Sequence, residues 1–487
     1  LLFLFFGAAS LPAFELKLNG QPLSLPAETL LRGLCYLVPT DAGYERGLAL
    51  SELLPPLIDS WKLEILHEKG ASSWKEERLA ERLGGFFLLP SIKGGWDFYA
   101  DDVRLKDIRS IYLAGDRAEE GELEVWLSWE GVPELKAELE RWSKLSGVKV
   151  RAVDVPDTRS KYLTTLRGGG RTPDLVMIQS DNLADLLNAQ ALQNLDRIEA
   201  GSLSAKGREA FRIEGRLWAL PFYFDSQLVF YNKKLISEVP KDDWSLDDLV
   251  RIADSAAAKG RTPLSWNVYS AYWLLSFASG FGKPSICDAD GGVRPDDPGT
   301  AKALAWILGL IGSGRLLALE RDAMVARFAA GEIGMILSGS YSIPEFERIG
   351  LDFAVAPYPT VASTGRPAAP LLDFKGFAMS RSCRSPVSAQ RLLEYLGGIG
   401  VQQRFSGALS KMPANEQAWK AAKESNRYHA QLSRSAEIGL VIPPGPGYAV
   451  YKNIMWKMLR FILSSMMESD EALAEARRLI DANLKAK

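Results

Sequence analysis

The chain is expected to form an α/β fold of largely parallel sheets with helices on both faces, preceded by a small, mainly β unit. Three observations lead there. From Leu123 onward strand-like runs alternate with amphipathic helical runs, the pattern that parallel strands joined by crossover helices impose. Residues 15–118 instead carry short apolar runs between glycine-rich turns, the mark of short strands. At 487 residues, 47% of them hydrophobic and 24% charged, the chain is too long for one core, so two or three domains are expected.

The opening LLFLFFGAASLPAFE is an apolar run followed by small residues. It reads as a signal-peptide remnant over residues 1–14, cleaved near Ala13, and it is too short to span a bilayer. The run has no cysteine after it to carry a lipid anchor, so export to the periplasm is expected. In residues 15–118 the strand-like runs are YLVP (36–39), WKLEIL (61–66), FFLLP (86–90) and WDFYADDVRL (96–105). Residues 51–59 have room for a short helix only if Pro55 and Pro56 fall in its first turn. The unit's Trp61, Trp74 and Trp96 suit either a core or an exposed partner surface. The small, charged stretch AGDRAEEGE (114–122) is the expected linker.

The second region begins with the strand LEVWLSW. A helix follows with Leu135, Leu139, Trp142 and Leu145 at helical spacing, ending at Gly147. VKVRAVDV is the next strand, 160–166 a helix, RTPDLVMIQ a buried strand and DNLADLLNAQALQNL another amphipathic helix. Residues 217–236, LWALPFYFDSQLVFYNKKLI, read as a strand that sets aromatic residues beside Asp225. Ser245 and Asp248 then form a capping-box signal for a helix over 245–259. Further helices are expected at 299–313 and 322–330, followed by the strand GMILSG.

Composition removes several functions. With 58 Lys plus Arg against 60 Asp plus Glu, there is no basic field to hold nucleic acid. The two histidines, His67 and His429, and three cysteines, Cys35, Cys287 and Cys383, lie at no metal-ligand spacing, so no metal or cofactor is expected. The cysteines define no disulfide framework. No GxxxxGK[ST] loop is present to hold ATP.

In order and spacing, VWLSWEG, RTPDLVMIQSD, EGRLWALPFYFDSQLVFYNKKL, FAAGEIGMILSGSY, FAVAPYPT, FKGFAMS and LSKMPANEQAW resemble the family 1 extracellular solute-binding proteins of the maltose-binding type. The likeness runs from residue 122 to the C-terminus and departs from the consensus at Tyr223 and Leu228. It implies a two-lobed periplasmic-binding-protein fold (type II), with lobe 1 formed by 121–226 plus 372–411 and lobe 2 by 227–371 plus 412–487. Hinges would lie near Asp225 and Phe374. The implied role is not enzymatic. A monomer would capture a carbohydrate, an oligosaccharide by preference, between the lobes and deliver it to the membrane permease of an ABC importer.

The same resemblance implies ligand contacts at Trp129, Glu130, Asp181, Asp225, Tyr272 and Tyr341. It implies a C-terminal aromatic at Tyr448 or Tyr451, although the aligned position itself is Lys452. Ile178 stands where the maltose-binding protein has a stacking tryptophan, which argues against maltose itself. Aromatic faces match the C–H faces of sugar rings and carboxylates match their hydroxyl rims. Each residue also has an ordinary reading. Asp181 can cap a helix starting at Asn182, Glu130 can be a solvated loop charge, and strand aromatics can pack in the core. Asp225 is the preferred acidic contact, because burial among Phe222, Tyr223 and Phe224 would be costly without a partner.

Two other functions fit parts of the chain. A sensor signalling through a membrane receptor would give residues 15–118 a role. A thiaminase-like enzyme would need Cys287 or Cys383 as nucleophile, yet no histidine is near either in sequence.

Overall fold

A computed structural model describes residues 14–487 except 20, 24–35, 41–42, 51–52, 54–56, 76–78, 92–94, 118–121, 197, 199–201, 242, 284, 288–291 and 486–487. The signal segment up to Ala13, Cys35 and most of the 51–59 helix lie outside the described residues. The chain divides into two compact units, the second starting at Leu123.

The first unit contains two five-stranded sheets. One runs in the order Gln21–Pro22, Glu15–Leu18, Ser110–Arg117, Leu57–His67, Gly70–Lys75; the other runs Tyr36–Thr40, Gly43–Ala49, Phe87–Pro90, Trp96–Ala100, Val103–Leu105. Strand alternation builds the core: Leu63, Ile65, Ile111 and Leu113 from the first sheet join Leu48, Leu88 and Phe98 from the second. Trp96 is buried, and Trp74 packs against Phe86 and Phe98 at 5.7 and 5.3 Å between ring centres. Trp96 is therefore a core residue and Trp74, partly buried, packs against that core, while the Trp61 side chain lies outside what the structure describes. Residues 57–59 are strand rather than helix, and the strand Ser110–Arg117 runs into the expected linker.

The second unit repeats one arrangement twice. Outward from the middle of its sheet, one half has Leu175–Gln179, Leu123–Leu127 and Val150–Asp154, all parallel. The other half has Ile333–Gly339, Thr262–Trp266 and Leu316–Ala318, also parallel. In chain order both halves read third, first, second. Between them lie two long antiparallel strands, Leu220–Asn232 and Leu371–Ser380, each passing from one half into the other. These halves are the two lobes, and the long pair are the crossing strands.

Helix ends follow the local sequence. Val132–Ser146 closes on Gly147 at φ 76°, where glycine carries no Cβ penalty. Its last turn leaves Leu145 exposed, not on the buried stripe with Leu135, Leu139 and Trp142. The helix expected over DNLADLLNAQALQNL is cut short. Gln190 turns left-handed at φ 51°, and Leu192–Gln193 pairs with Met379 and Ser380 instead. After residue 411, Met412–Pro413 pairs with Tyr223–Phe224 and Glu416–Ala421 packs beside Ile399–Leu409.

The capping box forms as expected: Asp248 N donates to Ser245 Oγ at 3.1 Å, and Ser245 N to Asp248 Oδ2 at 3.0 Å. Ser245→Ala should therefore lower stability by about 1 kcal/mol, measured as a reduced thermal midpoint. An unchanged midpoint would show that the helix Leu246–Ala257 is held by packing alone.

Candidate functional site

The carboxyl ends of parallel strands are where α/β sheets present ligand-binding groups. In this repeat the third strand of each lobe ends in a single 3-10 turn, Ser180–Asn182 in one and Ser340–Ser342 in the other. Asp181 and Tyr341 therefore occupy equivalent places. After the first strand of lobe 1, Trp129 and Gly131 turn left-handed, at φ 64° and 84°, and leave Glu130 exposed between them. After the first strand of lobe 2, Ser270 caps the helix Ala271–Gly280 and brings in Tyr272. Gln227, buried on a crossing strand, fixes that turn by donating to the Tyr272 carbonyl at 2.8 Å and accepting from Ser276 Oγ and from Leu371 N.

Asp225 has the largest set of charged partners. It is fully enclosed on its crossing strand, opposite Asp373 in the ladder. Its Oδ1 accepts from Lys411 Nζ and from Ser340 Oγ, each at 2.8 Å, and its Oδ2 from Lys375 Nζ at 2.9 Å. Lys375 also donates to Asp373 Oδ2 at 2.9 Å, and Lys411 to Glu130 Oε2 at 3.3 Å. Burial alone would push the Asp225 carboxyl up, but the ammonium groups of Lys375 and Lys411 outweigh it and hold the group well below the ordinary carboxylate range. The expectation for Asp225 rested on the cost of burying a carboxylate without a partner. Here the partners are present, and the oxygens tie the crossing strands to Lys411 and Ser340.

Around this cluster lies a group of phenols. Burial raises the Tyr272, Tyr448 and Tyr358 hydroxyls well above the ordinary tyrosine value; Asp373 adds to the effect at Tyr272, and Asp181 and Asp373 at Tyr448. Burial also raises Tyr341, which the Arg321 guanidinium, 5.5 Å from the ring centre, partly offsets. These hydroxyls stay neutral and able to donate. Lys452 Nζ lies 2.7 Å from Asp181 Oδ2 and 5.8 Å from the Tyr448 ring centre, which brings these residues, distant in the chain, together. Tyr451, one turn beyond Tyr448, is buried in the helix Pro446–Leu463 and responds to Asp297 instead.

Asp181 reaches across the lobes. Its Oδ2 accepts from Lys452 Nζ at 2.7 Å, while its Oδ1 is enclosed without a hydrogen-bond partner. The hydroxyls of Ser180 and Tyr358 are likewise buried and unpartnered. Such groups are costly to leave unmet.

Four residues here were absent from the sequence reading: Asp373, Lys375, Lys411 and Tyr358. Lys375 did leave a signal, as a lysine inside the apolar run FKGFAMS, where a buried charge demands a partner. The histidine needed by a cysteine enzyme has other work. His429 stacks on Trp419 at 4.2 Å and its ring nitrogens meet the Trp419 carbonyl and Ser433 Oγ. Among the described residues no group of His, Cys, Asp or Glu is arranged to hold a metal, and no helix is long and apolar enough to cross a membrane.

This arrangement, two repeated α/β lobes joined by crossing strands with polar and aromatic groups at the strand ends, defines a two-lobed solute-binding protein. The profile of the bacterial extracellular solute-binding proteins matches residues 140–430, and the chain belongs to that family, whose members bind solutes and are not enzymes. The maltodextrin-binding protein MdxE of Bacillus subtilis is 23% identical over 71% of this chain and 86% of its own length. Among solved structures, the GacH receptor of Streptomyces glaucescens superimposes with a TM-score of 0.67 at 21% identity, covering 74% of this chain and 99% of that one. The maltotriose-binding protein of Thermus thermophilus gives 0.64 at 22% identity, covering 74% and 100%.

Proposed function

We propose that the protein captures an oligosaccharide between its lobes and delivers it to the membrane permease of an ABC importer, working as a periplasmic monomer. The observation that carries this reading is the equivalent placement of Asp181 and Tyr341 in the turns that end the third strands of the two halves, with Tyr272 in the first turn of the helix after Thr262–Trp266 and Tyr448 drawn toward Asp181 through Lys452. Neutral phenols offer ring faces and donors, and Asp181 offers an unpartnered acceptor oxygen. The names of the maltodextrin- and maltotriose-binding relatives support the same class of ligand. Trp129 and Glu130 line the approach from lobe 1. Asp225 holds the hinge and Tyr451 the helix behind Tyr448. Lobe 1 comprises 121–226 plus 372–411 with the short strand and helix after it, and lobe 2 the remainder. Contacts from both lobes would favour the closed state, the condition for a ligand to shift that population.

The test is a thermal-shift screen of the protein against mono- and oligosaccharides, with amino acids and metal ions as controls. A saccharide at 100 times its dissociation constant should add about 2.7 kcal/mol, and Tyr272→Ala should abolish the gain. Stabilisation by amino acids or metals alone would refute the carbohydrate reading.

A further inference from the structure

Beyond Tyr448 and Lys452, the helix Pro446–Leu463 places Trp456 and Arg460 at further steps of four residues, so the four side chains follow one slowly turning face. On that face Lys452 meets Asp181 of lobe 1 at 2.7 Å. One turn farther out, Trp456 is 48% exposed. A single exposed aromatic needs no explanation, but this indole is held in place. The Arg460 guanidinium lies 4.4 Å from its ring centre and 4.7 Å from that of Tyr269. Tyr269 is half-buried in the loop between the strand Thr262–Trp266 and the helix that carries Tyr272.

Polar groups tie these two rings to the strand ends of lobe 2. Arg460 Nη2 donates to Glu320 Oε1 at 2.7 Å, and Asn267 Nδ2 to Glu320 Oε2 at 2.8 Å. The next residue, Arg321, donates to Glu345 Oε2 at 2.8 Å and lies 5.5 Å from the Tyr341 ring centre. Glu320 and Arg321 follow the strand Leu316–Ala318, so the end of one strand joins Tyr341 on one side to Trp456 on the other. Each exposed ion pair is weak alone; together they fix a platform that is continuous with the candidate site. The arrangement has a cost, because Arg460 Nε is enclosed without a hydrogen-bond partner, a loss that a merely solvated helix face would avoid.

Aromatic faces bordered by a carboxylate, an amide and a guanidinium match the C–H face and hydroxyl edge of a sugar. Trp456 stands eight residues past Tyr448, about 12 Å along the helix axis, so a single sugar ring cannot occupy both places. A chain of sugars can. Resting on the oligosaccharide reading above, we propose that Trp456 and Tyr269 form an outer subsite that stacks the far end of a ligand longer than a trisaccharide, which makes Trp456 a determinant of chain-length preference. Arg460 is a positioning residue that holds both rings.

The experiment is calorimetric titration of the full protein with the trimer and the hexamer of α-1,4-linked glucose and of β-1,4-linked glucose. In a series that binds, the hexamer should bind at least about 10-fold more tightly than the trimer, a difference of about 1.4 kcal/mol. Trp456→Ala should collapse that ratio to within about 2-fold, whereas Trp456→Phe keeps a ring face and should retain most of it. Arg460→Lys keeps the charge but not the planar stack and should lower the ratio; a role confined to the Glu320 ion pair would leave it unmoved. Tyr272→Ala, by contrast, should remove binding of both lengths. Equal affinities for trimer and hexamer, or a ratio unchanged in Trp456→Ala, would overturn this inference and leave the oligosaccharide reading standing. Failure of all four sugars to bind would also overturn it, and failure of the wider saccharide screen would overturn both.

Discussion

Replacing Asp225 with alanine is expected to destabilise the second unit by about 3–5 kcal/mol, the usual cost of removing one partner from a buried ion cluster. The physical reason is what remains. Lys375 and Lys411 are both almost completely buried, and Asp225 is their shared counter-ion. Burial alone would depress Lys375, but Asp225 and Asp373 outweigh it and hold it well above its ordinary value, so it stays charged. Without Asp225, Lys375 keeps only Asp373 and Lys411 keeps only the exposed Glu130. Unfolding followed by denaturant titration would measure the loss. Converting Asp225, Lys375 and Lys411 together to apolar residues of similar size should recover much of it, since the cluster holds geometry more than it adds net stability. A loss below about 1 kcal/mol for Asp225→Ala would be the scale of an exposed ion pair and would contradict this account.

The pH dependence has a defined sign. Asp225 is depressed in the folded state, so its contribution is complete above its unfolded value of about 3.9 and declines as pH falls below that. Asp373 works in the opposite sense. Burial, with Asp181 adding and Lys375 opposing, raises its carboxyl, so its ionisation costs stability at neutral pH and that cost is relieved on acidification. The deficit of Asp225→Ala relative to the wild type should therefore narrow as pH falls below about 4, measured by thermal unfolding at several pH values.

The sequence revealed the fold more fully than it revealed the site. Strand-helix alternation, the Ser245 capping box and the helices near 245–259, 299–313 and 322–330 depend on local pattern, and each appears within a residue or two of where the pattern puts it. Where the reading failed locally, a long-range interaction had prevailed. The helix after Asp181 stops early because Leu192–Gln193 is claimed by a crossing strand far along the chain. At the candidate site, Asp181, Tyr272, Tyr341 and Tyr448 are legible through the family resemblance rather than through any local pattern, and Asp181 and Tyr341 fall in the turns that end equivalent strands. Lys375 shows only as a charge inside an apolar run and Lys411 not at all, because the partner they share, Asp225, lies 150 and 186 residues away in the chain. The left-handed turn at Trp129 was equally hidden, since a tryptophan at positive φ follows no propensity.

Gly376→Ala should be nearly as damaging, for steric reasons. Gly376 pairs with Pro221 where the two crossing strands run together, and the register slips between Pro221 and Tyr223. A Cβ added there would stand 2.5 Å from the Leu220 carbonyl oxygen and about 3 Å from the Phe211 ring. The ring could shift, but the carbonyl belongs to the opposing strand and cannot move without opening the ladder. Alanine normally gains about 0.4–1 kcal/mol over glycine by restricting the unfolded chain, whereas overpacking against backbone costs about 1–3 kcal/mol or more. A net loss is therefore expected. Gly309 is the matched control, because it lies within the helix Pro298–Gly312 and an added Cβ would meet nothing within 4 Å. Gly309→Ala should raise stability by about 0.5–1 kcal/mol through helix propensity. Opposite signs for the two substitutions in one denaturation series would locate a rigid contact between the crossing strands. If both were stabilising, the crossing strands would have to separate freely at Gly376.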